Sequence, residues 1–122
     1  MKEIKIFCFD IDNIICKTSQ SNYKKSTPNI RVIKLINALY DQGHQIKIFT
    51  ARFMGRNNEN IYKAKKSGFL FTKKQLSKWN IKYHKLIFGK PTYDFFIDDR
   101  AMGYKTKWIN EIKKISRIKI NI

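Results

Sequence analysis

Four short apolar runs constrain this chain more than anything else in it: IKIFCF (4–9), HQIKIFTA (44–51), KLIFG (85–89) and YDFFIDD (93–99). Each has the length of a buried strand, and helical patterns separate the first three. Strands alternating with helices imply βαβ units and a parallel sheet with helices on both faces. Right-handed crossovers then make a small doubly wound, Rossmann-like α/β fold. With 122 residues, one domain spanning 1–122 is expected. In such folds the functional crevice lies beyond the carboxyl ends of the strands.

The helical segments carry their own signals. TPNIRVIKLINALYDQG (27–43) places Thr27 as N-cap, Pro28 at the first helical position and Gly43 as the stop. Ile30, Ile33, Ile36 and Leu39/Tyr40 form its apolar stripe. IYKAKKSG predicts a short helix closed by Gly68, and TKKQLSKW a second, with Thr72 and Gln75 as a capping box. KTKWINEIKKI predicts a closing helix, and SRIKINI alternates like an edge strand or a frayed end. Residues 13–26 form a loop or flap.

Composition narrows the class. At 43% hydrophobic and 29% charged residues, the chain is globular. No apolar run approaches the roughly 20 residues of a membrane span, and acids at positions 3 and 10 do not suit a signal peptide. Cys8 and Cys16 are the only cysteines, with Cys8 on a core strand, so a reduced, cytoplasmic protein is expected. The net charge of +17 raises nucleic acid as a partner. The lysines are spread along the chain without an arginine-rich block, which favours a solvated basic surface instead.

The acids are scarcer and more informative. Four of the nine form two tight pairs, Asp10/Asp12 and Asp98/Asp99. In the parallel-sheet arrangement Asp10/Asp12 end the first strand, Thr50 ends the second, Lys90 follows the third and Asp98/Asp99 end the fourth. Four carboxylates converging there would need a cation, and oxygen ligands suit Mg²⁺. Lys90 and Thr50 add a positive charge and a hydroxyl for a phosphate. This set fits phosphoryl transfer. If the chain stays extended through residue 12, both first-pair carboxylates face one pocket. Asp10 would then attack phosphorus, and Asp12 would protonate the leaving oxygen and later activate water. Arg52 and Arg56, on the loop after Thr50, are candidates to read a second anionic group of the substrate. His44 and His84 are expected at the surface, Trp79 and Trp108 in the core.

The residues FDIDNI resemble the first motif of the haloacid dehalogenase superfamily, and IKIFTAR, FGKP and FFIDDRA resemble the other three, in the family's order. The resemblance covers roughly residues 4–102. It implies a Mg²⁺-dependent phosphatase with Asp10 as nucleophile, Asp12 as general acid/base, and Thr50 and Lys90 on the phosphate. Asp10, the Asp12 carbonyl and Asp98 would hold the metal, with Asp99 assisting. Ile14 stands where the family has Thr or Val. No insert long enough for a cap domain is present, so the site is open; it would suit a large substrate, or, over a small one, be closed by a neighbouring subunit of a homo-oligomer. QLSKWNIKYHKLIFGKPTYDFFIDDRA is also similar to small family members associated with bacterial capsule and lipopolysaccharide synthesis, which implies a sugar phosphate as substrate. A phosphatase acting on nucleic-acid 3′ ends and a catalytically silent binding protein are the alternatives.

Overall fold

The computed structural model describes residues 3–104 and 106–122. Its centre is a three-stranded parallel sheet. Strand β1 (Ile6–Phe9) leads into a small antiparallel hairpin made of β2 (Cys16–Lys17) and β3 (Thr27–Pro28). Helix α1 (Ile30–Asp41) follows, then β4 (Gln45–Thr50), helix α2 (Ile61–Lys78), β5 (Lys85–Phe88) and helix α3 (Trp108–Ser116). The sheet order is β1-β4-β5, with Phe9 beside Ile48 and Thr50 beside Phe88. Among the described residues β1 is therefore an edge strand.

The α1 stripe is real, but its start differs from expectation. Thr27 and Pro28 pair with Cys16 and Lys17, and the N-cap is Asn29, whose side chain accepts from Val32 N–H. Asn is as good a cap as Thr, and the hairpin removes Thr27 from competition. Val32, Ile33, Leu35, Ile36 and Leu39 are buried, whereas Ile30 is exposed. Gly43 has φ +102°, the left-handed turn that returns the chain to β4.

The two short helices expected over 61–79 are one helix of 18 residues, capped by Asn60 accepting from Lys63 N–H. Gly68 lies inside it, because a Cβ there would overlap the Phe53 ring. Close approach, not helix termination, explains this glycine. Ordinarily Gly→Ala in a helix gains about 0.5–1 kcal/mol; here Gly68→Ala is expected to cost about 1–3 kcal/mol as Phe53 is displaced. Urea unfolding measures this, and a gain in stability would show that the Phe53 packing carries no weight.

Continuous right-handed crossovers along the order β1-β4-β5 put α1 and α2 on the same face. The buried side chains agree: Phe9, Ile46, Ile48 and Phe88 share that face, with Ile11 and Leu35 in the same interior. The cover expected on both faces is incomplete among the described residues. Ile4 and Ile6 are 58% and 62% exposed, and Cys8, expected in the core, is exposed. The fourth expected strand, 93–99, forms no strand at all; Phe95 and Ile97 are 85% and 89% exposed.

Helix α3 packs against α1, with Ile109 and Ile112 buried; its expected first residue, Lys105, lies outside the described residues. The tail is neither strand nor frayed end. Ile118, Ile120 and Ile122 pack on the main core in an irregular extension, so its period of two is genuine burial without a ladder. No helix among the described residues is long and apolar enough to cross a membrane.

Candidate active site

The carboxyl ends of β1 and β4, and the turn after β5, bring three of the expected residues together. Gly89, at φ +102°, turns the chain out of β5. Lys90 N–H then donates to Thr50 O at 3.2 Å, which aims its side chain across the sheet end. Lys90 Nζ reaches Asp10 Oδ2 at 3.2 Å, a contact between residues 80 apart in sequence. The Asp10 Oδ1 atom accepts from Ile11 N–H at 2.8 Å. Both groups are half-sheltered, with the Asp10 side chain 35% exposed and that of Lys90 11%.

Burial pushes the Asp10 carboxyl above the ordinary aspartate value of 3.8; the Lys90 charge and the Ile11 N–H offset only part of it, and Asp12 adds a smaller upward push. Burial would lower Lys90, but the Tyr93 hydroxyl and Asp10 outweigh it and hold the ammonium above its usual 10.5. The sign matters for stability. A carboxyl raised in the fold favours folding at low pH, and this contribution is lost as pH rises from 3.8 through the folded value. Ionised Asp10 is thus a cost to the fold.

Asp12 has a different environment. The chain does not remain extended beyond Asp10: Ile14, Ile15 and Cys16 N–H all turn back onto Ile11 O, and Asn13 takes φ 65°. Ile11 is fully buried between the two acids. Asp12 Oδ1 accepts from the Thr18 hydroxyl at 2.6 Å and from Arg52 Nη2 at 2.9 Å, while Arg52 Nε lies 3.2 Å from Oδ1 and 3.0 Å from Oδ2. Asp10 faces Lys90, and Asp12 faces Arg52.

Arg52 is not placed to read a substrate. Its side chain is completely buried. Nη1 donates to Gln75 Oε1 at 2.7 Å, Nη2 also approaches Ser26 Oγ at 3.5 Å, and the guanidinium lies 4.6 Å from the Tyr23 ring centre. Gln75, expected as a capping residue, uses its amide on Arg52 and on Tyr23 O. Arg56 covers the other residues of this aromatic stack, 5.1 Å from Tyr23 and 4.7 Å from Phe53, and donates to Ser21 O. Arg52 ties the flap to α2, and Arg56 ties it to the loop at Phe53. Thr18, Tyr23 and Gln75 are therefore site-supporting residues that sequence reasoning missed; only the position of Arg52, directly after the strand-ending Thr-Ala, hinted at them.

Thr50 is wholly buried, and its hydroxyl oxygen accepts from Arg52 N–H at 3.0 Å, leaving its own proton to donate. Asp98 and Asp99 do not join the site. Both are exposed, and Asp98 caps its own turn by accepting from Arg100 N–H at 2.8 Å. Among the described residues no group of three or more His, Cys, Asp or Glu side chains is close enough to hold a metal. With Asp12 engaged by Arg52, Asp10 is the one side-chain carboxylate of the expected set left for a cation at the sheet end, the lower end of the one or two that Mg²⁺ takes beside substrate phosphate. Of the expected ligands, Asp98 and Asp99 are not brought to Asp10 within one chain.

His44 is buried, not superficial. His44 and His84 occupy equivalent places before β4 and β5, where their Nδ1 atoms accept from Lys5 and Ile46 N–H. Trp79 and Trp108 pack on the core as expected.

No family model matches the chain, and no curated protein matches it. Among solved structures, a crystal structure of a target protein from Vibrio cholerae is similar, with 26% identity and a TM-score of 0.75. The alignment covers 91% of this chain and 98% of that one, so the small α/β architecture is shared over nearly the whole length of both.

Proposed function

We propose that the chain is a phosphomonoester hydrolase of the haloacid dehalogenase type, working through an aspartyl-phosphate on Asp10. The observation that carries this reading is the Lys90–Asp10 contact at the carboxyl end of the parallel sheet. A half-sheltered carboxylate beside a fixed cation can approach a phosphate dianion that would otherwise repel it. The ordered motifs support the same reading.

Asp10 attacks phosphorus, and its bond to phosphorus forms as the bond to the leaving alcohol oxygen breaks. Asp12 gives that oxygen a proton. Water then attacks the phosphorus, its proton passes to Asp12, and phosphate leaves with Asp10 restored. Asp12 Oδ2, which contacts Arg52 Nε alone, is the oxygen available for these transfers. Lys90 holds the nucleophile and neutralises phosphate charge, and the Thr50 hydroxyl supplies a donor. Mg²⁺ belongs to the proposal through the family resemblance, but its ligands are incomplete here and no step is assigned to it.

A sugar phosphate of surface-polysaccharide synthesis is the favoured substrate, from the resemblance of residues 75–101. Phosphate release from a panel of sugar phosphates, nucleotides and 3′-phosphorylated oligonucleotides tests this. The net charge of +17 keeps the oligonucleotide reading as the rival. A groove neutralising several phosphates shows log K falling with log[salt] at a slope of about −0.7 per contact. The expected result is weak oligonucleotide binding lost near physiological salt, while the Michaelis constant for the sugar phosphate changes far less. Submicromolar oligonucleotide binding at that salt, with preferred 3′-phosphate removal, would replace the sugar-phosphate reading.

A further inference from the structure

The outer edge of β1 bonds to no strand among the described residues, since β1 pairs with β4 alone. An open edge on a parallel sheet is unusual, because parallel strands are normally interior and covered. Beside it lie the exposed Ile4, Ile6 and Cys8. The same chain carries a strand-forming segment outside the sheet, Tyr93–Asp99, with Phe95, Phe96 and Ile97 exposed to solvent and only Tyr93 and Phe96 resting on Lys90 Nζ, at 5.3 and 5.6 Å, among the contacts of the described residues. Edge and segment are complementary in chemistry. A strand added parallel to β1, with Asp98 level with Asp10, would put Phe95 and Ile97 on the same face as Phe7 and Phe9.

The segment cannot reach that position in its own chain. Lys90 is fixed at the carboxyl end of the sheet by Thr50 O and Asp10, and Thr92 N–H is held by Glu59 Oε1 at 2.8 Å. In the parallel register Asp94 would lie level with Ile6. Thr50 is level with Ile11, by the pairing of Phe9 with Ile48. The descent is therefore about 16 Å, and the outer edge of β1 lies at least two strand spacings, about 10 Å, to the side. The straight path of about 19 Å runs through the sheet itself, whereas four residues from Lys90 to Asp94 extend at most about 14 Å. Parallel neighbours in one chain need a crossover of about a dozen residues.

We propose that Tyr93–Asp99 pairs with β1 of a second copy of this chain, and that reciprocal exchange makes a two-fold dimer in which each site takes Asp10 from one copy and Asp98 and Asp99 from the other. Self-complementary exchange of one element is a low-cost route to a closed dimer. The eight residues 100–107 span up to about 28 Å, enough to bring the chain back to α3 on its own α1. The exchange supplies the missing strand, covers the β1 edge and brings Asp98 and Asp99 to a site that otherwise offers a cation the single carboxylate of Asp10. The placing of these acids rests on the phosphoryl-transfer reading; the strand exchange does not.

Two measurements separate those layers. In the parallel register residue 96 faces Cys8 of the other copy, within disulfide reach. Oxidised Phe96→Cys is expected to run as a covalent dimer on a non-reducing gel, and Phe96→Cys with Cys8→Ser as a monomer. Cys16 is buried and does not compete. Sedimentation of the unmodified protein at micromolar concentration is expected to give a dimer. A monomer, or a disulfide within one chain as an antiparallel hairpin on β1 would form, overturns the exchange. The second measurement is co-expression of Asp10→Asn and Asp98→Ala chains under separate tags. Each variant alone is inactive, but half of randomly paired dimers are mixed and contain one intact site, so about a quarter of wild-type activity returns. Background activity from verified mixed dimers overturns the shared site while leaving the exchange. A wild-type protein that dimerises and cross-links but releases no phosphate from any substrate overturns the catalytic reading instead.

Discussion

Replacing Asp10 by Asn is expected to bring phosphate release to background while the protein remains folded. The amide keeps the size of the carboxylate and can still accept from Ile11 N–H, a bond of 2.8 Å in the native protein. What it loses is nucleophilicity, and no neighbouring acid replaces it, because Asp12 is held by Arg52 and Thr18. Asp12→Asn should slow both formation and hydrolysis of the intermediate by about 10²–10⁴-fold. The pH profile carries a related signature. Asp10 must be ionised to attack, and burial raises its pKa, so the acid limb of kcat/KM should lie above 3.8. Robust turnover by Asp10→Asn would reject the covalent mechanism. An acid limb below 3.8 would reject Asp10 as the ionising group that governs it.

The parallel sheet and the cluster at its carboxyl end were legible because their signals are local. Apolar runs of strand length between helical periods located β1, β4 and β5, and the rule for carboxyl ends then put Asp10, Thr50 and Lys90 together. Arg52 was visible as a residue near the site, but its role was not. Its partners Asp12, Ser26 and Gln75 lie 40, 26 and 23 residues away, and only the folded flap brings them together. Gly68 illustrates the opposite error. A glycine near the end of a weak helical pattern resembles a stop, yet here it makes room for an aromatic ring whose position no local pattern encodes.

The segment Tyr93–Asp99 marks the deeper limit. Its pattern is that of a strand as good as β1, but strand propensity does not say where a partner edge lies. With Lys90 held by Asp10 and Thr50, the chain between the third and fourth apolar runs is too short to place both on one parallel sheet. Only residues 91–94 separate Lys90 from Phe95, and a parallel neighbour demands a crossover, so the conflict is visible in the spacing alone. The same short connection leaves Asp98 and Asp99 away from Asp10 within one chain.

Arg52→Met is expected to give the largest loss of stability among single changes at the site, about 3 kcal/mol. Met roughly preserves the volume of the side chain but returns none of its bonds. The loss leaves Asp12 and Gln75 without their shared donor and removes the cation beneath Tyr23. A fully buried pair broken on one side costs about 3–5 kcal/mol; the Asp12 side chain is 22% exposed and can be partly hydrated, which puts the value at the lower end. In the Arg52→Met background, Asp12→Asn removes the stranded charge. The double variant should therefore lose about 1–2 kcal/mol less than the sum of the single changes. Kinetics divide the two roles open to Arg52. A residue that reads substrate would raise KM in a protein of unchanged stability. A buried strut would instead lower kcat through a misoriented Asp12, with KM little altered and the urea midpoint reduced. The second pattern is the expected one, because every nitrogen of the guanidinium is already engaged inside the protein. A stability change below about 1 kcal/mol together with a raised KM would return Arg52 to the substrate.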